Sequence, residues 1–318
     1  MRSRGTPPIS ELLMPATTDS LTLALSSRRN ADGGFGPYAD RSSTTESTAW
    51  AALALGMTGE SESADSAISW LLEQQLASGA WPHSTAAPEP SWMTSVALLS
   101  LSDVPTAEAP VARGADWLLR QKGRSFPLMT RLFYRFWPER VQVRLDTELR
   151  AWAWTEGAFS WCEPTSMAML ALRRVDQQTI SGSVRSRLRE GERLLLDRVC
   201  KGGGWNYGNS WVLGEDLWPY PDTTALALLA LSGRRDDPRV VQSLDALTRM
   251  LEVHESSLSL SLGVLCLDAF GIDAMPYRNR LDALWQGELF DTTTRAIALS
   301  LVALHGDMNP FVSSPSHD

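Results

Sequence analysis

Asp222 lies in Tyr220-Pro221-Asp222-Thr223-Thr224-Ala225, immediately ahead of an apolar run, and is the strongest candidate for proton chemistry in this sequence. In the register read from sequence, the matching place ahead of other apolar runs holds Glu46, Met93, Thr165, Glu255 and Asp291, so acids recur there. Carboxylates crowded at the mouth of an apolar cavity raise one another's pKa, which makes one of them a proton donor near neutral pH. Asp222 is therefore the first candidate catalytic acid, with Asp291 and Glu46 behind it and Glu255 as a substrate contact. A structural explanation competes with this one. Asp, Glu, Ser and Thr are favoured at helix starts because they satisfy free backbone N–H groups and complement the helix dipole, a cap contributing about 0.5–2 kcal/mol.

Aromatic residues cluster near the same places. Of 13 tryptophans, Trp81, Trp92, Trp161, Trp205, Trp211 and Trp218 lie in or beside the segments that lead into the apolar runs. Aromatic faces line hydrophobic pockets and stabilise cations, so Trp92, Trp161, Trp211, Trp218 and Tyr220 are candidate substrate contacts. Trp81 and Trp205 fit better as staples between neighbouring units. Trp211 and Trp218 belong to an insertion at about 206–220, where a cap over a pocket is expected. A second insertion, at about 124–150, interleaves Arg131, Arg135, Arg140 and Arg144 with Leu132, Phe133, Tyr134, Phe136 and Trp137. It could dock on an anionic membrane surface, clamp an anionic group of a substrate, or pair with acids of a neighbouring helix. Pro127 and Pro138 limit any helix there to about ten residues.

The elements that must position these groups form a repeat. A Gly-rich turn ending in an aromatic is followed by a polar segment and an Ala/Leu-rich helix: Asp32-Gly33-Gly34-Phe35 before Glu46–Leu53, Ser78-Gly79-Ala80-Trp81 before Thr94–Leu98, Glu156-Gly157-Ala158-Phe159 before Thr165–Leu170, and Gly203-Gly204-Trp205 before Asp222–Leu228. Glu255–Leu258 and Asp291–Thr294 keep the helix start without most of the turn, giving about six units. The repeat helices are apolar or small nearly all round, as buried helices are. Those between them, such as Ala67–Glu73 and Gly114–Arg120, carry one apolar stripe, as half-exposed helices do. Alternating buried and half-exposed helices close most naturally into an all-α, single (α/α)6 toroid over residues 1–318, with an open solenoid as the alternative.

Gln75-Leu76-Ala77-Ser78-Gly79-Ala80-Trp81 resembles the Gln-x-x-x-Gly-x-Trp repeat of squalene and oxidosqualene cyclases, and the resemblance extends over roughly residues 20–305. Protein prenyltransferase beta subunits are similar in being single toroids, but their zinc-binding Asp-x-Cys pair has no counterpart here. With only His83, His254, His305 and His317, no metal is expected. Class II terpene cyclases carry Asp-x-Asp-Asp-Thr-Ala, whose middle aspartate protonates an alkene or epoxide. Asp222 matches that middle position, whereas Tyr220 and Thr223 replace the flanking acids. Those cyclases place the site between two helical domains, so a partner chain could supply the second.

Composition narrows the classes further. Apolar content of 43% with 21% charged residues describes a globular protein, and a net charge of -8 argues against nucleic acid as a partner. Cys162, Cys200 and Cys266 are scattered and odd in number, which reads as core thiols in a reducing compartment. The opening segment has no apolar leader and no stretch is long enough to span a bilayer, so a cytoplasmic protein, peripheral to the membrane at most, is expected. The expected activity is protonation-initiated chemistry on an isoprenoid or other hydrophobic small molecule, which needs no cofactor. The alternative is a toroid that binds a ligand or scaffolds without catalysis. A lyase acting on acidic polysaccharide would need more His, Tyr and Arg along a cleft.

Overall fold

The computed structural model describes residues 9–175, 182–306 and 309–312; His317 and the opening segment 1–8 lie outside them. In chain order its helices are α1 (Ile9–Ser26), α2 (Thr45–Thr58), α3 (Ser61–Gln74), α4 (Thr94–Leu101), α5 (Glu108–Arg120), α6 (Leu128–Phe136), α7 (Cys162–Val175), α8 (Gly182–Asp197), α9 (Pro221–Ala230), α10 (Pro238–Val253), α11 (Ser257–Phe270), α12 (Met275–Trp285) and α13 (Thr294–His305). The expected alternation is present. α2, α4, α7, α9, α11 and α13 are buried on nearly every side, and each packs on the next, with α13 returning to α2. That last contact closes a ring and rules out an open solenoid. α1, α3, α5, α8, α10 and α12 form the outer layer, with α1 lying against α13 and α2. The fold is an all-α, α/α toroid.

One hydrogen-bond device recurs around the ring. The backbone N–H groups of Phe35, Trp81, Trp152 and Trp205 donate to the Oγ1 atoms of Thr48, Thr94, Thr165 and Thr224 at 2.9, 2.9, 3.3 and 2.9 Å. The indole Nε1 groups of Trp81, Trp152 and Trp205 donate to the carbonyls of Leu71, Leu118 and Leu195 at 2.7, 2.9 and 2.7 Å. Those carbonyls belong to the last turns of α3, α5 and α8, where helices leave C=O groups without internal partners. Each tryptophan thus fastens the end of an outer helix to the start of the next inner one. Gly79 and Gly203 make this possible: both have positive φ (91° and 88°), and a Cβ would lie 2.5 Å from the Arg113 carbonyl oxygen and 2.7 Å from that of Gln242. Gln75 of the Gln-x-x-x-Gly-x-Trp stretch donates to the carbonyls of Gly79 and Pro110, tying the turn to α5.

The third unit differs from the sequence expectation. Its aromatic is Trp152, and Phe159 instead stacks on Phe126 with ring centroids 4.4 Å apart. Gly157 turns a loop with nothing nearby.

Both insertions take local structure. Residues 124–150 contain α6, bounded by Pro127 and Pro138. Residues 206–220 contain a hairpin of β3 (Trp211–Val212) and β4 (Glu215–Asp216), comparable with the hairpin of β1 (Pro82–Ser84) and β2 (Ala87–Pro90). The two insertions also meet each other: Leu213 N–H donates to Gln142 O at 2.7 Å, and the Arg144 guanidinium lies 4.5 Å from the centre of the Trp211 ring. All three cysteines are buried and unpaired; burial pushes the thiols of Cys162 and Cys200 up to about 12 and about 11, and that of Cys266 upward as well.

Candidate functional site

The threonine contacts fix which residues are equivalent around the ring. Two positions before Thr48, Thr94, Thr165 and Thr224 stand Glu46, Trp92, Glu163 and Asp222. The remaining two inner helices are placed by a second contact, made between the first residue of an inner helix and the residue that follows an aromatic: Trp81, Phe35 or, for α11, Phe290. Thr45 Oγ1 donates to Pro82 O at 2.6 Å, Thr294 Oγ1 donates to Gly36 O at 2.6 Å, and Asp291 N–H donates to Ser257 Oγ at 3.2 Å. The residues following Thr45, Ser257 and Thr294 are Glu46, Leu258 and Arg295. One rim position is therefore occupied in turn by Glu46, Trp92, Glu163, Asp222, Leu258 and Arg295.

This register corrects four assignments made from sequence. Met93, Thr165, Glu255 and Asp291 give way to Trp92, Glu163, Leu258 and Arg295, because the aromatic-to-threonine contacts set the phase of each inner helix and the acidity of a loop residue does not. Glu255 is exposed, ahead of α11. Asp291 accepts from Thr293 N–H at 2.9 Å in the turn before α13, and its charge acts on Arg28. Neither is joined to the rim cluster by a hydrogen bond or ion pair among the described residues.

Arg295 organises the rim. It reaches Glu46 of the neighbouring α2 at 3.1 Å and Glu163 at 3.1 Å on α7, the helix across the ring. All three side chains are largely shielded, with exposures of 22, 23 and 12%. A positive charge in the first turn of a helix opposes the helix dipole, so the position of Arg295 makes sense only as compensation for the acids it meets. Burial disfavours its charged form, but Glu163, Glu46 and Asp222 outweigh that, and the guanidinium is more basic than usual. Burial raises the Glu163 pKa. Arg295 offsets part of the rise, and the like charges of Glu46 and Asp222 add to it.

Asp222 is half-buried in the first turn of α9, and among the described residues its carboxylate accepts no hydrogen bond. It shares the field of Arg295 and Glu163. Tyr207 is close enough to feel both acids: burial, then Asp222 and Glu163, raise the pKa of its phenol. Its ring lies 5.2 Å from that of Tyr220, which precedes α9. Three carboxylates against one guanidinium leave the rim net negative, with two acids tied to Arg295 and the third free to engage something else.

The candidate aromatics separate. Trp92 is at the rim position itself and meets Trp154 edge-on at 4.7 Å, beside a crevice of about 170 Å³ that Trp117 and Glu156 also line. Trp161 belongs to a different crevice, beneath the insertions. Trp211 is covered by Arg144. Trp218, expected as part of a cap, is 83% exposed and borders a crevice against α10 on the outer layer. Among the described residues no group of three His, Cys, Asp or Glu side chains is arranged to hold a metal ion.

Sequence reasoning missed Glu163 and Arg295. The signals were present: Phe35–Thr48, Trp81–Thr94 and Trp152–Thr165 are each 13 residues apart, and Arg295 is the only Lys, Arg, Asp or Glu in α13.

No family model and no curated protein matches the sequence. Solved structures do resemble it. An α-amylase from Clostridium perfringens superposes with a TM-score of 0.62 at 11% identity, covering 91% of this chain and 97% of its own. A type II terpene cyclase, MstE, from Scytonema gives 0.58 at 12%, covering 94% and 98%. An endo-1,4-D-glucanase from Vibrio fischeri gives 0.55 at 13%, covering 90% and 93%. At such identities the likeness is one of fold, and by that measure the chain is an α/α toroid of the kind found in a terpene cyclase and in carbohydrate-active proteins alike.

Proposed function

We propose that the rim of the toroid takes a hydrophobic small molecule, an isoprenoid in the first instance, and that Asp222 transfers a proton to it. The observation that supports this most is the division of labour among the rim acids. Arg295 holds Glu46 and Glu163, while Asp222, beside them, has no bonded partner among the described residues. A carboxylate free to reach a ligand, in a shielded site whose other charges are fixed, has the properties of a general acid or base. Glu163, more proton-loving than an ordinary glutamate, is the natural reservoir for that proton. Trp92 and Trp154 on one side, and Tyr207 and Tyr220 on the other, would shield a cationic intermediate. MstE, which shares the fold, holds geranylgeranyl dihydroxybenzoate. No metal or cofactor is part of this scheme.

The test is product analysis with wild-type protein and Asp222→Asn on a panel of polyprenyl alcohols, polyprenyl diphosphates and aryl glycosides, with binding followed by native mass spectrometry. Conversion of a polyprenyl compound by wild type alone, with binding retained in the variant, supports the reading. Conversion of a glycoside would move the activity to the carbohydrate class. Equal conversion by Asp222→Asn, or no binding at all, would leave a non-catalytic toroid.

The arginine-rich insertion supports a peripheral membrane location. α6 has no buried residue, and Leu128, Met129, Leu132, Phe133 and Phe136 share an exposed face with Arg131 and Arg135 behind it. A basic amphipathic helix of this kind lies in an anionic lipid surface, from which a hydrophobic substrate would be taken. Co-sedimentation with phosphatidylserine vesicles, lost on Met129→Glu and Phe136→Glu together, is the expected result. No helix among the described residues is long and apolar enough to cross a membrane.

A further inference from the structure

The two insertions interrupt the repeat and are not needed to close the ring, yet together they enclose a crevice of about 190 Å³ over the end of α8. Phe126 and Tyr134 come from one insertion, Gly208 and Asn209 from the other, and Phe159, Trp161 and Arg198 from the ring beneath. Arg198 sets the chemistry. Its side chain is 5% exposed and makes no hydrogen bond among the described residues; Nε and Nη1 are fully enclosed, which leaves Nη2 as the nitrogen a ligand in the crevice can reach. A buried guanidinium is seldom left so, because each unmet N–H forfeits the water it gave up.

Its charge is only partly balanced. Asp197 lies 3.5 Å away, too far for a good hydrogen bond, and the exposed Asp146 adds a weaker attraction. Arg124, at the edge of the crevice, sits 5.7 Å from the centre of the Phe159 ring. Two guanidiniums line the crevice, and the one close acid, Asp197, lies by Arg198 while Asp146 is exposed to water, which suits a ligand of one negative charge. The rest of the wall is flat and apolar: Phe126 stacks on Phe159, and Tyr134 lies 6.2 Å from Phe126. The volume is close to that of an apolar cavity able to hold benzene, about 150 Å³.

We infer that this crevice binds a small planar monocarboxylate, its ring against Phe126, Phe159 and Trp161 and its carboxylate on Arg198. The ligand's carboxylate accepts from Arg198 Nη2, the nitrogen that is not enclosed, and Arg124 stands at the solvent edge. Asp222 takes no part, so an inert rim would leave this site standing.

The experiment uses the full chain and sodium benzoate as probe, with benzamide as its neutral counterpart, read by calorimetry and ligand-detected NMR on wild type, Arg198→Gln and Phe126→Ala. Benzoate is expected to bind, with benzamide and the Arg198→Gln variant each weaker by about tenfold or more, as loss of a charge-assisted hydrogen bond implies. Phe126 is half-buried in a loop, so Phe126→Ala is expected to remain folded and to weaken benzoate several-fold. Its result stands even where the buried Arg198 cannot be replaced without unfolding. Three outcomes would overturn the inference: no benzoate binding up to about 10 mM, the range open to a fragment of this size; equal binding of benzamide; or benzoate binding that Phe126→Ala leaves unchanged.

Discussion

The threonine seam and the charged rim lie two residues apart on the same helices and follow opposite rules. At the seam, Thr48, Thr94, Thr165 and Thr224 each accept from the backbone N–H of a buried aromatic, three of the contacts at 2.9 Å and that of Thr165 at 3.3 Å. At the rim, the corresponding residues are Glu, Trp, Glu, Asp, Leu and Arg. The four units that carry the seam solve the same problem there, since an incoming backbone N–H has to be satisfied where an outer helix hands over to an inner one. The rim has no such shared task. Its residues are released from the repeat and constrained only by one another, through the requirement that buried charges balance. Repetition marks what holds the ring together, and departure from repetition marks where chemistry can be placed.

Replacing a seam tryptophan should cost most. Trp205→Ala is expected to destabilise by about 3–5 kcal/mol, as for a fully buried aromatic, measured by chemical denaturation; a loss below about 1 kcal/mol would show that the seam does not carry the fold. Arg295→Met comes next. Breaking a buried pair costs about 3–5 kcal/mol, and with the rim partly open to water we expect about 2 kcal/mol. Adding Glu46→Gln and Glu163→Gln should restore most of it, because the penalty comes from stranded carboxylates; an additive loss would separate Arg295 from them.

Thr224→Val, which keeps the shape and removes the acceptor, should cost about 1–2 kcal/mol by leaving the Trp205 N–H unmet. Equivalent changes at Thr48 and Thr94 should cost alike, and a wide spread would break the equivalence of the seam. A smaller effect is expected from pH. Because burial raises the folded-state pKa of Glu163, the folded protein holds this proton more tightly than the unfolded chain, so stability falls as pH rises from the ordinary glutamate value of 4.5 through the folded one. Glu163→Gln should flatten that segment of the stability profile; an unchanged slope would place its origin elsewhere. Asp222→Asn should change stability least, within about 0.5 kcal/mol, since its carboxylate holds no hydrogen-bond partner among the described residues, while removing the activity proposed for the rim.

Much of the ring was legible in the sequence because its cause is local. Runs such as Ser257–Leu267, without a charge, can only be buried, and Gly79 with Trp81 marks a turn that other residues cannot make. The site was legible only in part. Asp222 and Glu46 were found because they are acidic and precede helices, but the same reasoning selected Asp291 and Glu255, whose acidity serves a turn and the solvent. Glu163 was passed over because the loop after Trp152 contains a glycine-aromatic pair, Gly157 and Phe159, which looks like the repeat and is not, whereas Trp152 itself has no glycine before it. Trp211 and Trp218 looked alike as members of one insertion, and only the packing of β3 and β4 separated them.

The sequence by itself determined the alternation of buried and half-exposed helices, their number and the turns between them, since periodicity and small-residue content act over a few residues at a time. Tertiary structure alone decided which charges face one another. Arg295 and Glu163 are 132 residues apart and meet because the ring closes, and Arg198 is enclosed beneath two insertions with no hydrogen-bond acceptor among the described residues. Pairing across a ring depends on the phase of every helix in it, and that phase is set by hydrogen bonds between units that no single segment contains.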